Sequence, residues 1–457
     1  MNLTLAHVLI MSATLLIVIG GGIYAARAVK TAEGYSLGGR SSGAVMVAGS
    51  IAGTVVGGGA TIGTAQLAYS AGLSAWWFTL GSGIAFIIMG LFYAGKLRMT
   101  GLETIPQYLQ KNYGKKTAGL AGIISSIGIL FSAVASCLPG IQMISAIFGT
   151  SIYISAIFLI ILVACYVFFG GMKSAGVGGL LKMVVIWISL FAAGVSAFLF
   201  LHQMPAEEFN VYFPEAFWCS MVGMGIESAL YNLFSMIVGI LCTQTYVQCI
   251  FSAMTPRTAK IGAFLAAAIV IPVGLPSVAI GMYMHAFEPG VLPVLVLPIY
   301  LIEHQPVWLG GIALGGLILS LVGSIGGLSL GIGTMLMRDI IGKIWKIPEK
   351  KNLMVLRSLV VAVMAFAACI ALCNMESQVL FWNYMSMALR GCSVFLPLTA
   401  AIFAVGKISN NGVFYSMLIS TLVPLLWTIL GNPPISPLFI GLGISGMMFL
   451  IIKVKTY

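Results

Sequence analysis

The chain has 457 residues, of which 60% are hydrophobic and only 7% are charged. This composition excludes a water-soluble domain, so we predict an all-α protein that crosses the membrane many times. The formal net charge of +11 would suggest a nucleic-acid partner in a soluble protein, but here it is explained by basic loops between spans. The eight cysteines lie in or beside apolar segments without metal-ligand spacing and are interpreted as core residues.

Thirteen apolar segments are long enough to cross a bilayer. The loops between them place 20 of the 22 Lys and Arg on one side, while the opposite loops carry glutamates and no basic residue. The positive-inside rule therefore predicts a plasma (inner) membrane protein with its N-terminus outside and its C-terminus in the cytoplasm. The predicted spans are Leu3–Ala26, Ser42–Leu73, Ala75–Tyr93, Thr117–Phe148, Ser151–Phe169, Ala175–Leu201, Met221–Phe251, Thr258–Met284, Val307–Met337, Leu353–Cys373, Ser377–Val405, Val413–Leu430 and Ile435–Ile452.

The second span carries three consecutive glycines, Gly57, Gly58 and Gly59, where a membrane helix should be most regular. Freed backbone groups are costly in lipid, so a broken helix persists only where it is buried in protein or lines a cavity. Broken helices at the midplane are how secondary transporters present backbone groups to ions and solutes. The alternative is that these glycines only let two helices pack closely.

The loop after the third span reads Glu103-Thr-Ile-Pro-Gln-Tyr-Leu-Gln-Lys-Asn-Tyr-Gly114. A proline two residues after Thr104 and a glycine at the end predict a short helix on the basic side of the membrane. The later loops at about 202–220 and 286–306 contain prolines and aromatic residues that suit short interfacial helices.

Lys182 lies within an apolar stretch of the sixth span. A charged amine is expensive at such a position and usually has a function. One interpretation is that it extends to the headgroups at the cytoplasmic end. The other is that its ammonium occupies or abuts a cation site.

The seventh and eleventh spans carry the remaining candidate residues. The seventh contains Glu227 near its outer end, Asn232 and a mid-helix glycine, Gly239. In the eleventh span Arg390 lies some 13 residues from the start, where a guanidinium must be paired or face a cavity. A substrate carboxylate is one candidate partner; helix-end carbonyls freed by Gly391 or Pro397 are the other.

The chain resembles the sodium:solute symporter family along most of its length. The similarity is carried by the broken second span, by Glu103–Gly114, by Phe168-Phe-Gly-Gly-Met-Lys-Ser174 and by Arg338-Asp339-Ile340 at the end of span nine. The resemblance implies a leucine-transporter-type fold with two inverted five-helix repeats. Residues 42–201 would form the first repeat and 221–405 the second, flanked by peripheral segments 1–41 and 413–457.

The resemblance also implies a sodium site between spans two and nine. Backbone carbonyls would come from Gly53, Val56 and Ser320, and hydroxyls from positions 323 and 324. Ser324 keeps a hydroxyl, although it could instead bond its own helix, whereas Gly323 lacks one.

A second departure from the family lies in span six. The family's aspartate after Ser174 is missing, and Lys182 stands one turn further along the helix. The resemblance implies Na⁺ as the coupling ion, whereas these two departures favour coupling to H⁺ or none.

We expect a secondary active transporter that moves a small polar solute with a monovalent cation, and no other cofactor. The two intramembrane charges are basic, which favours an organic anion or amino acid as the solute. The alternative is an uncoupled facilitator with Lys182 in place of the cation.

A membrane enzyme would need an acidic or histidine cluster, and a sensor would need a signalling domain. Expected partners are the bilayer and the solute, with no nucleic acid and no obligate protein. The candidate solute-binding residues are Thr54, Gly57, Gly58, Gly59, Asn232 and Arg390, and the candidate gating residues, by resemblance, are Gln244 and Gln248.

Overall fold

The computed structural model describes residues 3–27, 31–167, 171–214, 216–345, 348–406, 408–429 and 435–451. The family-like residues Phe168, Phe169 and Gly170 lie outside these ranges, as do five of the basic loop residues and Glu215. Those five are Lys30, Lys346, Lys407, Lys453 and Lys455.

The described residues form helices joined by short turns, as the composition predicts. In chain order the α-helices are α1 Leu5–Ala26, α2 Ala32–Leu37, α3 Ala44–Val55, α4 Thr64–Ala71, α5 Trp77–Ile88, α6 Ala94–Met99, α7 Ile105–Tyr113, α8 Lys115–Phe148, α9 Ile152–Val167, α10 Gly171–Gln203, α11 Ala206–Tyr212, α12 Ile226–Leu241, α13 Gln244–Ser252, α14 Pro256–Phe287, α15 Val296–Glu303, α16 Val307–Met335, α17 Gly342–Ile344, α18 Glu349–Leu372, α19 Val379–Phe403, α20 Asn410–Ile429 and α21 Pro437–Ile451.

The described helices account for all thirteen predicted spans. Among the described residues, nine continuous helical stretches are long and apolar enough to cross a membrane, and the bent pair α12 and α13 counts as a tenth. One stretch, Gly59–Met99, covers the end of the second span and all of the third, with a turn at Gly72–Trp76 between them. The shorter apolar helices α3, α9 and α21 supply the rest.

The second span is broken where its glycines predict. α3 ends at Val55, Val56 leaves the helical conformation with ψ of 75°, and a π-helical turn at Gly59–Gly63 leads into α4. In the seventh span the break comes at Cys242 and Thr243, where α12 and α13 meet at 46°. Gly239 is therefore not the break. It lies three residues earlier, where an added Cβ would overlap Met387 of α19.

The short helix α7 forms as its flanking residues predict. The hydroxyl of Thr104 accepts a hydrogen bond from the backbone N–H of Gln107, Pro106 lies in the first turn, and Gly114 ends the helix with φ of 91°. α7 contains Lys111 and begins two residues after Glu103, which pairs with Arg338, and it lies at the end of the bundle that we call the basic end. The opposite end, which carries α11 and α15, is called the acidic end.

Close backbone approach between α3 and α10 brings Lys182 to the break. A Cβ on Gly53 would lie 2.7 Å from the Cα of Gly179, and one on Gly179 would overlap the carbonyl oxygen of Gly49. Small residues allow such contacts in membrane helices. Close helix packing thus involves Gly53 and Gly179, whereas Gly57–Gly59, for which it was the alternative interpretation, lie at a break of the helix.

We expect Gly179→Ala to destabilise the protein severely, because neither backbone can move away without opening the α3–α10 contact. The measurement is the thermal midpoint and the folded yield of the purified protein in detergent. Gly119→Ala on α8 is the matched control, since a Cβ there meets nothing within 4 Å. We expect the control to be neutral or slightly stabilising. Equal midpoints for the two variants would contradict this interpretation.

Candidate cation and solute site

The ammonium of Lys182 lies directly at the break of the second span. Its Nζ donates hydrogen bonds to the carbonyl oxygens of Gly53, of Val56 at 2.9 Å and of Ser320 at 3.2 Å. The side chain is completely buried, so it does not extend to the surface as the alternative interpretation proposed. The structure therefore joins Lys182 to all three backbone carbonyls that the family resemblance assigns to the cation.

Three carbonyls match the hydrogen-bonding capacity of an ammonium group, which has three donors and no acceptor. Val56 supplies a free carbonyl because the helix stops there, and Gly53 supplies one from the last turn of α3. All three donors of the buried ammonium are thus used, which meets the hydrogen-bonding part of the requirement for burying a charge.

Gly323 provides the space in which the ammonium lies. A Cβ added to Gly323 would be 3.0 Å from Nζ of Lys182 and 3.1 Å from the carbonyl oxygen of Gly53. The missing hydroxyl at position 323 and the added amine at position 182 are therefore spatially linked. The sequence showed two separate departures from the family, and the structure shows that one makes room for the other.

The serines of α16 also bind the broken span. Ser320 donates its hydroxyl to the carbonyl oxygen of Val56 at 2.7 Å, and Ser324 donates to the carbonyl oxygen of Thr54. Ser324 does not bond its own helix, so that alternative does not describe the structure. The hydroxyl of Thr54 donates a hydrogen bond to the carbonyl oxygen of Ser50 in its own helix, at 3.0 Å.

The three glycines face different neighbours at the break. A Cβ on Gly57 would overlap the hydroxyl of Ser324, and one on Gly58 would lie 3.0 Å from Leu321. A Cβ on Gly59 would lie 2.7 Å from the side-chain amide of Asn383 and 2.9 Å from the ring of Phe78. Asn383 and Phe78 were missed by sequence reasoning, because neither belongs to a recognisable motif.

Asn232 is buried on α12, ten residues before Cys242 at the second break, which corresponds to about 15 Å along the helix axis. It follows Tyr231, whose ring contacts that of Tyr384. Glu227 is exposed at the acidic end, where it accepts a hydrogen bond from the backbone of Ser436, in agreement with a solvated position.

Arg390 is completely buried between α19 and α8. Its Nε donates to the carbonyl of Ser386, and its Nη2 donates to the hydroxyls of Ser386 at 2.9 Å and Ser132 at 3.3 Å. The helix-end carbonyls expected from Gly391 or Pro397 are not among these bonds. Within the described part of the chain, Nη1 has no hydrogen-bond partner.

Gln244 and Gln248 hold α13 to its neighbours at the basic end. Gln244 accepts a hydrogen bond from the backbone of Ile105 at 2.8 Å and donates to the carbonyl of Glu103 at 2.9 Å. Gln248 donates to the carbonyl of Ser36 at 2.6 Å and to the hydroxyl of Thr334 at 3.1 Å. An ion pair of Arg338 with Glu103, at 2.9 Å, completes this basic-end cluster.

A twice-interrupted helical bundle with backbone carbonyls around a buried cation is the architecture of a secondary transporter. The overall fold agrees with solved transporters. A substrate-bound, outward-open Na⁺-coupled sialic acid symporter aligns with a TM-score of 0.81 at 13% identity, over 99% of this chain and 100% of that one. A nucleobase-cation-symport-1 family transporter aligns with a TM-score of 0.58 at 12% identity, over 91% and 92%. The fold is of the leucine-transporter type.

The chain belongs to the sodium:solute symporter family, whose model matches residues 35–420. It is similar to the human high affinity choline transporter 1, at 26% identity over 56% of this chain and 44% of that protein. The Drosophila melanogaster high-affinity choline transporter 1 is 25% identical over 78% of this chain and 60% of its own length. Mouse sodium/glucose cotransporter 4 is 26% identical over 34% and 23%. The chain thus spans less than two thirds of each of these relatives. The family and these relatives are transporters and not enzymes.

Proposed function

We propose that this protein transports a small polar solute by alternating access, with the ammonium of Lys182 taking the place of the family's sodium ion. The observation that carries the proposal is the set of bonds from Lys182 to the carbonyls of Gly53, Val56 and Ser320. The family couples transport to Na⁺, so this chain would be a member with a covalently attached cation.

Electrostatics support the replacement. A sodium ion bound to the same carbonyls would lie close to the ammonium, and two unit charges 4 Å apart repel by about 4 kcal/mol at an effective dielectric constant of 20. The carbonyls would also lose their bonds to Lys182. Sodium binding beside the protonated lysine is therefore disfavoured, unless the amine leaves or loses its proton.

The coupling mode follows from what the amine does during transport. If Lys182 releases its proton when the site opens, solute uptake is coupled to H⁺. If it stays protonated, the protein is an uncoupled facilitator. Both versions predict transport without sodium, and they differ in their response to a pH gradient.

For the solute we propose an organic anion or an amino acid. The support is the pair of buried cationic side chains, Lys182 and Arg390, neither of which has an acidic side chain among its described hydrogen-bond partners. A choline-like cation is the second candidate. It is favoured by the choline transporters among the relatives and by the ring contacts of Tyr384 with Phe78 and Tyr231 near the break.

We propose that the protein lies in the plasma (inner) membrane with the basic end in the cytoplasm, as the charge distribution suggests. Lipid and solute are the partners that this function requires. The basic-end cluster of Gln244, Gln248, Glu103 and Arg338 would then be the cytoplasmic gate.

Gln248→Ala is expected to loosen this gate. Both of its buried hydrogen bonds to residues outside α13 are lost, and at about 1 kcal/mol each the population with α13 detached should rise about 30-fold. The measurement is the alkylation rate of the neighbouring buried Cys249 by a maleimide added from the basic end. The background has serine at the other cysteines, Cys137, Cys165, Cys219, Cys242, Cys369, Cys373 and Cys392.

Gln142→Ala is the matched control for the gate. Its amide bonds the carbonyl of Met375 near the acidic end, far from α13 along the bundle. We expect its Cys249 alkylation rate to equal that of the parent. An equal rise in both variants would mean general loosening and would count against a local gate.

The proposed function is tested by solute uptake into proteoliposomes. The probes are labelled proline, glucose, acetate and choline, assayed in Na⁺ buffer and in K⁺ buffer at equal ionic strength. We expect at least one probe to be taken up faster than by protein-free liposomes, at an initial rate that differs by less than about twofold between the two buffers. Acceleration by an outside-acidic pH gradient would support H⁺ coupling, and its absence would support the facilitator. Uptake that requires Na⁺ would overturn the role proposed for Lys182.

A further inference from the structure

The two halves of the transporter each carry one buried cation at matching positions. Lys182 lies on α10, the fifth span of the first repeat, and Arg390 lies on α19, the fifth span of the second. The repeat boundaries are those proposed from the sequence.

The match extends to the helix contacts. Three residues before Lys182, Gly179 packs on Gly53, which is three residues before Val56 at the first break. Three residues before Arg390, Met387 packs on Gly239, which is three residues before Cys242 at the second break. Each fifth span therefore meets its own broken span in the same register.

The third helix of the opposite repeat completes both sites. Lys182 bonds Ser320 of α16, the third span of the second repeat, and Arg390 bonds Ser132 of α8, the third span of the first. Met387, beside Arg390, also accepts a contact from the hydroxyl of Thr243 at the second break. Arg390 thus lies next to the second break as Lys182 lies next to the first.

The two cationic side chains differ in how many of their hydrogen-bond donors have a partner. Lys182 uses its three donors on carbonyls, whereas Arg390 makes no bond to a carbonyl of α12 among its described contacts. Its Nη1 is buried without a partner in the described structure. A buried guanidinium with an unused edge and no carboxylate among its bonds is an incomplete ion pair. The missing partner must accept hydrogen bonds and carry negative charge.

We infer that Arg390 forms a binding site for a small monovalent anion beside the α12–α13 break. The anion is either the carboxylate of the transported solute or a resident inorganic anion such as chloride. The first case deepens the proposed function and rests on it; the second does not. In both cases Nη1 donates to the anion while Nε and Nη2 hold the guanidinium in place through Ser386 and Ser132.

The test is the thermal midpoint of the purified full chain in potassium salts of methanesulfonate, chloride and acetate at constant K⁺. We expect chloride, acetate or both to raise the midpoint by several degrees in a saturable manner relative to methanesulfonate. Arg390→Gln should abolish the rise. Arg257→Gln, which changes an exposed arginine of α14, is the matched control and should keep it.

The pattern of response identifies the occupant. A rise in chloride alone supports a resident inorganic anion, and a rise in acetate alone supports the carboxylate of the solute. If Arg390→Gln fails to fold, Arg390→Lys is measured instead, because it keeps the charge but loses the planar edge of the guanidinium. A rise of about tenfold in the anion concentration that gives half of the maximal stabilisation supports the site.

The inference would be overturned if no anion raised the thermal midpoint of the parent in a saturable manner. An unchanged rise in Arg390→Gln, or an unchanged half-maximal anion concentration in Arg390→Lys, would also overturn it. Lys182→Ala should retain the anion response. Failure of this site is therefore distinguishable from failure of the sodium-replacement proposal, which depends on cations and not on anions.

Discussion

Lys182→Ala is expected to destabilise the protein in sodium-free buffer and to create a response to Na⁺ that the parent lacks. Removing the amine takes one donor each from the carbonyls of Gly53, Val56 and Ser320, of which Val56 keeps the hydroxyl of Ser320. A buried unsatisfied polar group costs about 1–3 kcal/mol. Sodium can bind such carbonyls, and at 100 times its dissociation constant it returns about 2.7 kcal/mol.

The measurement is the thermal midpoint of parent and variant in K⁺, Li⁺ and Na⁺ at equal ionic strength. We expect a drop of several degrees for Lys182→Ala in K⁺ that Na⁺ largely restores. Lys111→Ala, an exposed lysine on α7, is the control and should show neither effect. A variant that ignores Na⁺ would show that the carbonyls alone do not form a sodium site.

Gly323→Ser is expected to have opposite effects in the two backgrounds. In the parent its Cβ would lie 3.0 Å from Nζ of Lys182, so the added group crowds the ammonium. Overpacking of this kind costs about 1–3 kcal/mol. In the Lys182→Ala background the space is free, and the serine hydroxyl becomes a further oxygen ligand.

We therefore expect Gly323→Ser to lower the thermal midpoint of the parent. In Lys182→Ala it should lower the Na⁺ concentration that gives half of the maximal stabilisation roughly tenfold. Contacting residues show such non-additive effects. Gly119→Ser, introduced into both backgrounds, is the control and should act equally in each. Additive effects of positions 182 and 323 would contradict the spatial link between them.

The sequence predicted the bundle well because its signals were local. The glycine triplet located the first break, and Thr104 with Pro106 and Gly114 defined α7. The second break was less well predicted, since it falls at Cys242 and Thr243, residues that carry no breaking signal of their own. There the backbone is shaped by tertiary contacts, such as Met387 against Gly239.

The sequence predicted individual residues of the site but not the contacts between them. Lys182 stood out because a charge among apolar residues is unusual, yet only the three-dimensional structure shows which carbonyls it reaches. Gly323 was interpreted as a lost ligand, because a single sequence does not show that the vacated volume is filled from another helix. Asn383 and Phe78 gave no signal, and the correspondence of Arg390 to Lys182 depends on helix contacts that have no pattern in the chain.

The central claim is that an ammonium group fills the sodium site of the family. Equilibrium binding of ²²Na⁺ to the purified parent protein in detergent, with Lys182→Ala measured in parallel, tests it most directly. We expect no saturable Na⁺ binding by the parent at millimolar sodium near neutral pH, and one site per chain in the variant. Saturable binding of one Na⁺ by the parent, at the affinity of the variant, would contradict it.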